Sequence, residues 1–252
     1  MTRLANKTAL ITGASRGMGR ATALALGAAG AHVIVHYAHG ETEAAAVVAE
    51  IRAAGGKADA VAADLAEAGG AHALATQTRA AVGERLDILV ANAAATGPAT
   101  HHSIEDETIE DFDRMVAINF RAPFFLVQQL LPLFGEGSSI VLTSSVVART
   151  TVGVMPVYAA TKAAVESLVR HFAVLLGDRG IRINAVAPGV IATEATTNFF
   201  ADDTSRNFVL GNQALKRTGQ PDDVADVICF LVSDAARWIT GDTIQVGGGS
   251  KL

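Results

Sequence analysis

A single cysteine, Cys229, stands in 252 residues, so no intrachain disulfide can form. It lies in the apolar run Val227–Val232, where a buried, inert thiol is expected. A reducing, cytoplasmic setting fits that usage. Basic runs are missing as well: 20 Lys and Arg are scattered against 25 Asp and Glu, for a net charge of −5. Proteins that grip a phosphate backbone carry a basic stripe, so nucleic acid is not an expected partner. No apolar signal segment opens the chain; its first apolar stretch, Thr8–Ile11, runs straight into a glycine turn. The longest apolar segment, Pro123–Phe134, is interrupted by Gln128 and Gln129 and is too short to cross a bilayer. A soluble protein with no membrane partner is expected. His/Cys spacings of a zinc site are absent too. His101 and His102 are adjacent, His32 and His36 share a predicted strand, and no metal is expected.

Half of the residues are hydrophobic, ample for a continuous core. The length admits one large α/β domain or two small ones, and no repeat or Pro/Gly/Ser-rich linker divides the chain. One domain over 1–252 is therefore expected. Short apolar runs predict strands at Thr8–Thr12, His32–His36, Ala58–Ala62, Ile88–Ala91, Ser139–Thr143, Arg182–Ala187 and Thr243–Val246. Longer, Ala-rich stretches predict helices at Gly17–Ala29, Glu41–Ala54, Glu67–Val82, Ile104–Phe134 (bent or split near Pro123), Pro156–Leu176 and Pro221–Ser233. Strands such as Ile88–Ala91 are apolar on both faces, as in a parallel sheet covered by helices on both sides. The order implies right-handed crossovers and a doubly wound, Rossmann-type α/β fold. Gly189–Gly211 reads as a long irregular segment after the sixth strand. Its place at a strand's carboxyl end suggests a lid, over about 190–211.

Two groups of residues carry chemistry. Thr12–Gly19, which includes Gly13, Ser15, Arg16, Gly17 and Met18, joins the first strand to the first helix. Glycines there permit positive φ and let backbone N–H groups approach a pyrophosphate at the helix N-terminus. The other reading is an ordinary strand-to-helix turn. Farther on, Tyr158 and Lys162 are four residues apart on one helix face, 13 residues after Ser145, which follows the fifth strand. A phenol titrating near 10 is a poor acid/base at neutral pH, and a neighbouring ammonium is expected to lower it.

With these marks the sequence resembles the short-chain dehydrogenase/reductase family over essentially its whole length. The marks follow in order. The glycine turn is succeeded by Asp64-Leu65, Asn92-Ala93, Asn119 in Ile-Asn-Phe, Ser145, Tyr158-Ala-Ala-Thr-Lys162, Asn184-Ala-Val-Ala-Pro188-Gly189 and the closing Ile-Thr-Gly-Asp-Thr. Two positions depart from the pattern: Ala94 stands where glycine is usual, and Gly247 where aspartate is frequent. The resemblance implies an NAD(P)-dependent oxidoreductase acting on a carbonyl or alcohol, as a homotetramer or homodimer. Its glycine turn with Arg16 resembles that of the 3-oxoacyl-carrier-protein reductases, a nearby branch.

By the same resemblance Ser145 holds the substrate oxygen and Tyr158 exchanges its proton. Lys162 binds the nicotinamide ribose and tunes Tyr158. Asn119 holds a helix irregularity and a water in the proton relay. Pro188, Gly189, Ile191 and Thr193 lie at the carboxamide, while Asn92 and Ala93 line the cofactor's path. Asp64, with Leu65 beside it, contacts the adenine or else caps the helix starting near Glu67. An acidic residue at the end of the second strand normally binds the ribose 2′-hydroxyl of NAD, yet that end reads Val35-His36-Tyr37-Ala38-His39. Arg16 offers positive charge for a 2′-phosphate, with His36 and His39 adding hydrogen bonds, and NADP(H) is favoured over NAD(H).

The substrate is expected against Ser145 and Tyr158, bounded by Ala95–Thr100, Val146–Met155 and Ile191–Phe208. Val147, Val152, Val154, Met155, Phe199 and Phe200 make these surroundings apolar, with Arg149 and Glu194 as polar contacts. An apolar ketone or secondary alcohol is the leading substrate. A 3-oxoacyl thioester on acyl carrier protein is the alternative, with Arg121, Arg149 and Arg170 as the basic groups it would need. A nicotinamide-binding regulator without chemistry is the remote alternative. Phe124, Phe125, Leu126, Val127, Leu130 and Leu131 cover more than one helix face, which suggests a subunit contact.

Overall fold

β-Branched runs and Ala-rich segments become strand and helix in strict alternation. The computed structural model describes residues 4–97, 104–151 and 155–250, and the side chains of 198–199 are outside that description. In chain order the first half contains β1 (Thr8–Ile11), α1 (Gly17–Ala28), β2 (His32–Tyr37), α2 (Glu41–Ala53), β3 (Lys57–Ala62), α3 (Gly70–Val82) and β4 (Ile88–Ala91). The second half contains α4 (Ile109–Val116), α5 (Ala122–Leu130), β5 (Ser139–Thr143), α6 (Pro156–Gly177), β6 (Arg182–Pro188), α7 (Asp203–Gly211), α8 (Pro221–Leu231) and β7 (Thr243–Val246). The strands form one seven-stranded parallel sheet ordered β3-β2-β1-β4-β5-β6-β7. This is a Rossmann-type α/β fold, and its strand order reverses between β1 and β4, where a crevice opens at the carboxyl ends.

Side chains alternate across the sheet, so neighbours in sequence enter different layers. Leu10, Leu89, Ile140 and Ile183 pack with Leu74 of α3, Leu126 of α5 and Val165 of α6. Ile11, Val90, Val141 and Val186 pack on the opposite face with Leu26 of α1, Val47 of α2 and Ile228 of α8. Every residue of β4 and β5 is buried, as two-sided coverage requires.

The long helix expected over Ile104–Phe134 is divided. A 3-10 turn occupies Ile104–Asp106, and the Thr108 hydroxyl then caps α4 by accepting from the Asp111 N–H at 3.1 Å. Between α4 and α5 the chain widens into a π turn at Ala117–Arg121, with Ala122 N–H donating to Ala117 O. The cause is local. Pro123 has no N–H for the carbonyl of Asn119, and the wider turn accommodates that gap without breaking the run. The whole stretch Ile109–Leu133 is helical for 25 residues and matches a membrane span in length and composition, unlike the shorter apolar segment read from sequence. Half of its most apolar window is nevertheless buried inside the protein. Phe124 and Phe125 are also partly used within the chain, since their rings meet edge-on at 5.3 Å and Phe124 lies 5.6 Å from Phe172.

Two further boundaries differ from the sequence reading. Helix α3 starts at Gly70 rather than Glu67, because the Asp64 carboxylate accepts from Ala66 N–H at 2.9 Å and turns the chain first. Asp64 is thus no helix cap. The segment expected to be irregular over 189–211 contains a 3-10 turn at Glu194–Phe200 and the helix α7, capped by Asp202 accepting from Ser205 N–H at 2.8 Å. Cys229 is partly rather than fully buried, and burial followed by the Asp226 charge pushes its thiol up to about 11, so it stays protonated at neutral pH.

Candidate active site

The glycine turn between β1 and α1 forms a cradle at the sheet's crevice. Gly13 and Gly17 adopt φ of +62° and +55°, a region that side-chain-bearing residues rarely enter. A Cβ on Gly19 would stand 2.2 Å from the carbonyl oxygen of Gly13 and 2.6 Å from Nδ2 of Asn92. No side chain caps the α1 N-terminus, so its leading N–H groups face the crevice. A pyrophosphate suits such a place, since it offers oxygens to uncapped N–H groups at the positive end of a helix. The neighbouring cleft, about 550 Å³, is lined by Arg16, Met18, Asn92, Ala94, Ser145 and Tyr158, and on the far wall by Pro188, Gly189, Ile191 and Thr193. The cradle and cleft together fit a dinucleotide.

Some of the expected cofactor residues turn inward. The Thr12 hydroxyl accepts from the N–H groups of Asn92 and Ala93, both at 2.9 Å, while Asn92 Nδ2 donates to the carbonyls of Thr12 and Gly13. Asn92 therefore ties the end of β4 to the glycine turn. His36 is buried: its Nδ1 accepts from Gly13 N–H at 3.1 Å, and its Nε2 donates to Ala63 O at 2.9 Å. Burial pushes this imidazole down to about 4, partly countered by the Ala63 carbonyl and Asp64, so the ring is neutral. With both nitrogens engaged it has none for a 2′-phosphate, contrary to the role expected from sequence. Leu65 is buried in the core, and only its backbone is free to face a ligand. Tyr37 and Asp64 stand partly buried at the ends of β2 and β3, Ser15 beside them near Gly40, and Arg16 is exposed at the mouth of the cleft.

Opposite the cradle, three elements converge. Ser145 follows β5 and begins a 3-10 turn, its hydroxyl accepting from Val147 N–H at 3.4 Å. Tyr158 and Lys162 project from α6, with Lys162 Nζ 5.5 Å from the centre of the Tyr158 ring and donating to Thr143 O at 2.7 Å. Lys162 is 2% exposed, and burial pulls its ammonium down to about 7. Burial likewise pushes the Tyr158 phenol up to about 12, with the Ser145 hydroxyl pulling the other way. The sequence expectation of a lowered phenol thus does not hold in the free protein, where desolvation dominates. Asn119 sits in the π turn. Its Oδ1 accepts from Ala95 N–H at 2.9 Å, and its Nδ2 donates to Ala95 O and to the Thr161 hydroxyl of α6. Its side chain joins the loop after β4 to the helix of Tyr158. Its main-chain carbonyl loses the usual donor at Pro123.

The profile of a family described as enoyl-(acyl carrier protein) reductase matches residues 13–251. The chain belongs to the short-chain dehydrogenase/reductase family. Among family members, versicolorin reductase 1 of Aspergillus parasiticus is 39% identical over 259 residues, covering 98% of this chain and 97% of that one. The L-rhamnose 1-dehydrogenase (NAD(P)(+)) of Sphingomonas sp. strain SKA58 is 38% identical over 252 residues, covering 99% and 98%. The crystal structure of landomycin C-6 ketoreductase LanV with bound NADP and rabelomycin is 39% identical, with a TM-score of 0.88 over 98% of this chain and 97% of that one. As a short-chain dehydrogenase/reductase the protein is an NAD(P)-dependent oxidoreductase acting on CH–OH and C=O groups. The regulator without chemistry falls away.

Beside Ser145 and Tyr158 lies a second, smaller cavity of about 210 Å³. Val146, Val147, Met155, Val190, Phe208 and Val209 supply its apolar wall. Val147 and Met155 were expected there; Val152, Val154, residues 98–103 and the Phe199 side chain lie outside the described residues. Phe200 and Glu194 instead line a separate groove with Arg20 and Gln220. Arg149 is drawn to Glu166, with Nε 2.8 Å from Oε2, and is not a substrate contact. Phe208 and Val209 enter through α7, the helix whose N-cap at Asp202 was not read from sequence. The pattern Asp202-Asp-Thr-Ser205 was the signal that would have found it. His32 likewise has a partner of its own in Asp59, at 2.7 Å.

Proposed function

We propose that the protein reduces an apolar ketone to a secondary alcohol with NADPH, Tyr158 serving as the proton donor. The apolar cavity against Ser145 and Tyr158 carries this reading. Several of its polar side chains are already engaged: Gln213 Nε2 donates to Leu215 O, Asn212 Nδ2 to Phe208 O, and the Thr196 hydroxyl to Ile191 O, which leaves the buried Thr150 hydroxyl without a partner beside Ser145 and Tyr158. A polyol would find few free partners there and would lose its own water. Versicolorin reductase and the rabelomycin-bound ketoreductase support the same substrate class, and the bound NADP of the latter supports the cofactor.

The nicotinamide supplies or accepts the hydride when bound. Ser145 donates a hydrogen bond to the substrate oxygen and holds it beside the phenol. Tyr158, protonated in the free protein, delivers its proton to that oxygen in reduction and withdraws the alcohol proton in oxidation. Lys162 reaches the ribose hydroxyls and returns charge to the phenol. The Asn119 carbonyl, freed by Pro123, accepts from a water that renews the proton. Arg16 takes the 2′-phosphate, since no carboxylate occurs at the end of β2 before Glu41. The carrier-protein alternative loses ground because Arg149 is paired with Glu166 and Arg121 donates to Ala66 O.

NADPH consumption across a panel of apolar ketones, diketones, sugars and acyl thioesters tests the assignment, with NADH run in parallel. Turnover of an apolar ketone with NADPH is expected; a preference for sugars or for carrier-linked thioesters would overturn the substrate class. Arg16→Ala should raise the KM for NADPH by about tenfold or more and leave that for NADH nearly unchanged. Equal KM values for NADPH in variant and parent would remove Arg16 from cofactor selection.

A further inference from the structure

Glu166 is a carboxylate with 6% exposure on α6, one helical turn beyond Lys162 and two beyond Tyr158. A buried carboxylate is destabilising unless each oxygen finds a donor. Both do. Oε1 accepts from the Ser144 hydroxyl at 3.0 Å, and Oε2 accepts from Arg149 Nε at 2.8 Å. These donors bracket the turn that begins at Ser145: one immediately before it, the other four residues after. The Ser144 hydroxyl also lies 3.2 Å from the carbonyl oxygen of Lys162, so the same hydroxyl meets α6 at two points. Within the turn, Ala148 N–H donates to Ser145 O and Arg149 N–H to Val146 O.

We infer that Glu166 is a positioning residue, clamping Ser144 and Arg149 to α6 and so setting the distance between Ser145 and Tyr158. The physical need is plain. Ser145 and Tyr158 must touch the same substrate oxygen, yet they sit on different elements, and the covalent chain between them runs through residues 146–157. Misplacement by about 1 Å of groups that share one reacting atom lowers turnover by as much as 10²-fold. Loops carrying such groups need support from packed elements. On the side of the turn away from the substrate this carboxylate adds to the Ser144–Lys162 contact, joining the turn to the Tyr158 helix through a charge-assisted bond on one side and a buried hydroxyl on the other. Arg149, which the sequence offered as a substrate contact, thereby acquires a different task. Its side chain is 39% exposed, so the pair closes at the protein surface while its carboxylate end is sheltered.

The inference rests on Ser145 holding the substrate oxygen, as proposed above. Two measurements keep the two claims apart. In the free protein, without cofactor or substrate, hydrogen exchange should quicken at least tenfold at Ala148 and Arg149 in Glu166→Gln, while amides of β4 and β5 keep their protection. Unchanged exchange in the turn would overturn the clamp whatever the substrate is. With a ketone that the parent protein turns over, Glu166→Gln should lower kcat about tenfold and leave the dissociation constant of NADPH unchanged. The same substitution placed on Ser145→Ala should lower kcat less than twofold further, because the group it positions is already gone. A full tenfold loss in both backgrounds would make Glu166 merely structural. Should Glu166→Gln fail to fold, Arg149→Met opens the same pair from its exposed end and Arg149→Lys partly restores it. Parent-like kcat and exchange in Arg149→Met would refute the clamp equally.

Discussion

Tyr158→Phe should lower kcat for carbonyl reduction by at least 10²-fold while the variant folds normally and binds NADPH with parent affinity. The substitution removes one oxygen from a ring that keeps its place on α6. Nothing in the glycine cradle changes, so binding of the dinucleotide is a fair control. The phenol's elevated value of about 12 means that at neutral pH it is fully protonated before reaction. That is the form a proton donor needs in the reductive direction. In the alcohol-to-ketone direction the phenol must first be made basic, and a positive nicotinamide supplies the favourable charge. Steady-state kinetics with the best ketone, beside fluorescence titration of NADPH, checks both halves. A variant within threefold of parent turnover would end the role given to Tyr158.

Lys162→Met should also abolish turnover by at least 10²-fold, and yet make the free protein more stable, with Tm higher by about 5 °C, equivalent to roughly 2 kcal/mol in a chain of this size. An ammonium with 2% exposure, held at about 7 by desolvation, is the source of that difference. The sign follows from linkage. The unfolded chain binds the lysine proton up to about 10.5, the folded chain only up to about 7, so stability rises with pH between those values. Below about pH 7 both states are protonated and the penalty is complete. Lys162→Met therefore gains most at and below pH 7, and its advantage shrinks towards pH 10. The bond from Nζ to Thr143 O is lost in the variant, and this limits the gain. Thermal melts of parent and variant at pH 6, 8 and 9.5, without cofactor, decide the matter. A variant less stable than the parent at every pH would refute the desolvation account.

Both outcomes concern residues that were legible from sequence, but their energetics were not. The spacing of Tyr158 and Lys162 needs only helix geometry. The direction of their titration needs the burial that α4, the π turn, β5 and β6 provide against α6, which no local pattern states. The segment after β6 shows the same division. Its position after β6 followed from strand order. The helix α7 within it stabilises through Asp202 and through Val209 against the body of the protein, and the sequence reading passed over that cap.

The sequence by itself determined the strand and helix succession, the parallel sheet and the place of the glycine turn. Apolar periodicity and glycine stereochemistry act over a few residues, and they are written locally. It also pointed to Ser145, Tyr158 and Lys162 as the groups proposed for the chemistry, because they keep the family's order and spacing. Tertiary structure alone decided the partners of polar side chains brought together from distant positions. His36 closes on Gly13 and Ala63, Asn92 on Thr12, and Glu166 on Ser144 and Arg149, across 17 to 80 positions of chain. Whether a histidine or an arginine meets a ligand or a neighbour depends on which hydrogen-bonding group burial leaves unpaired, and only the folded chain sets that.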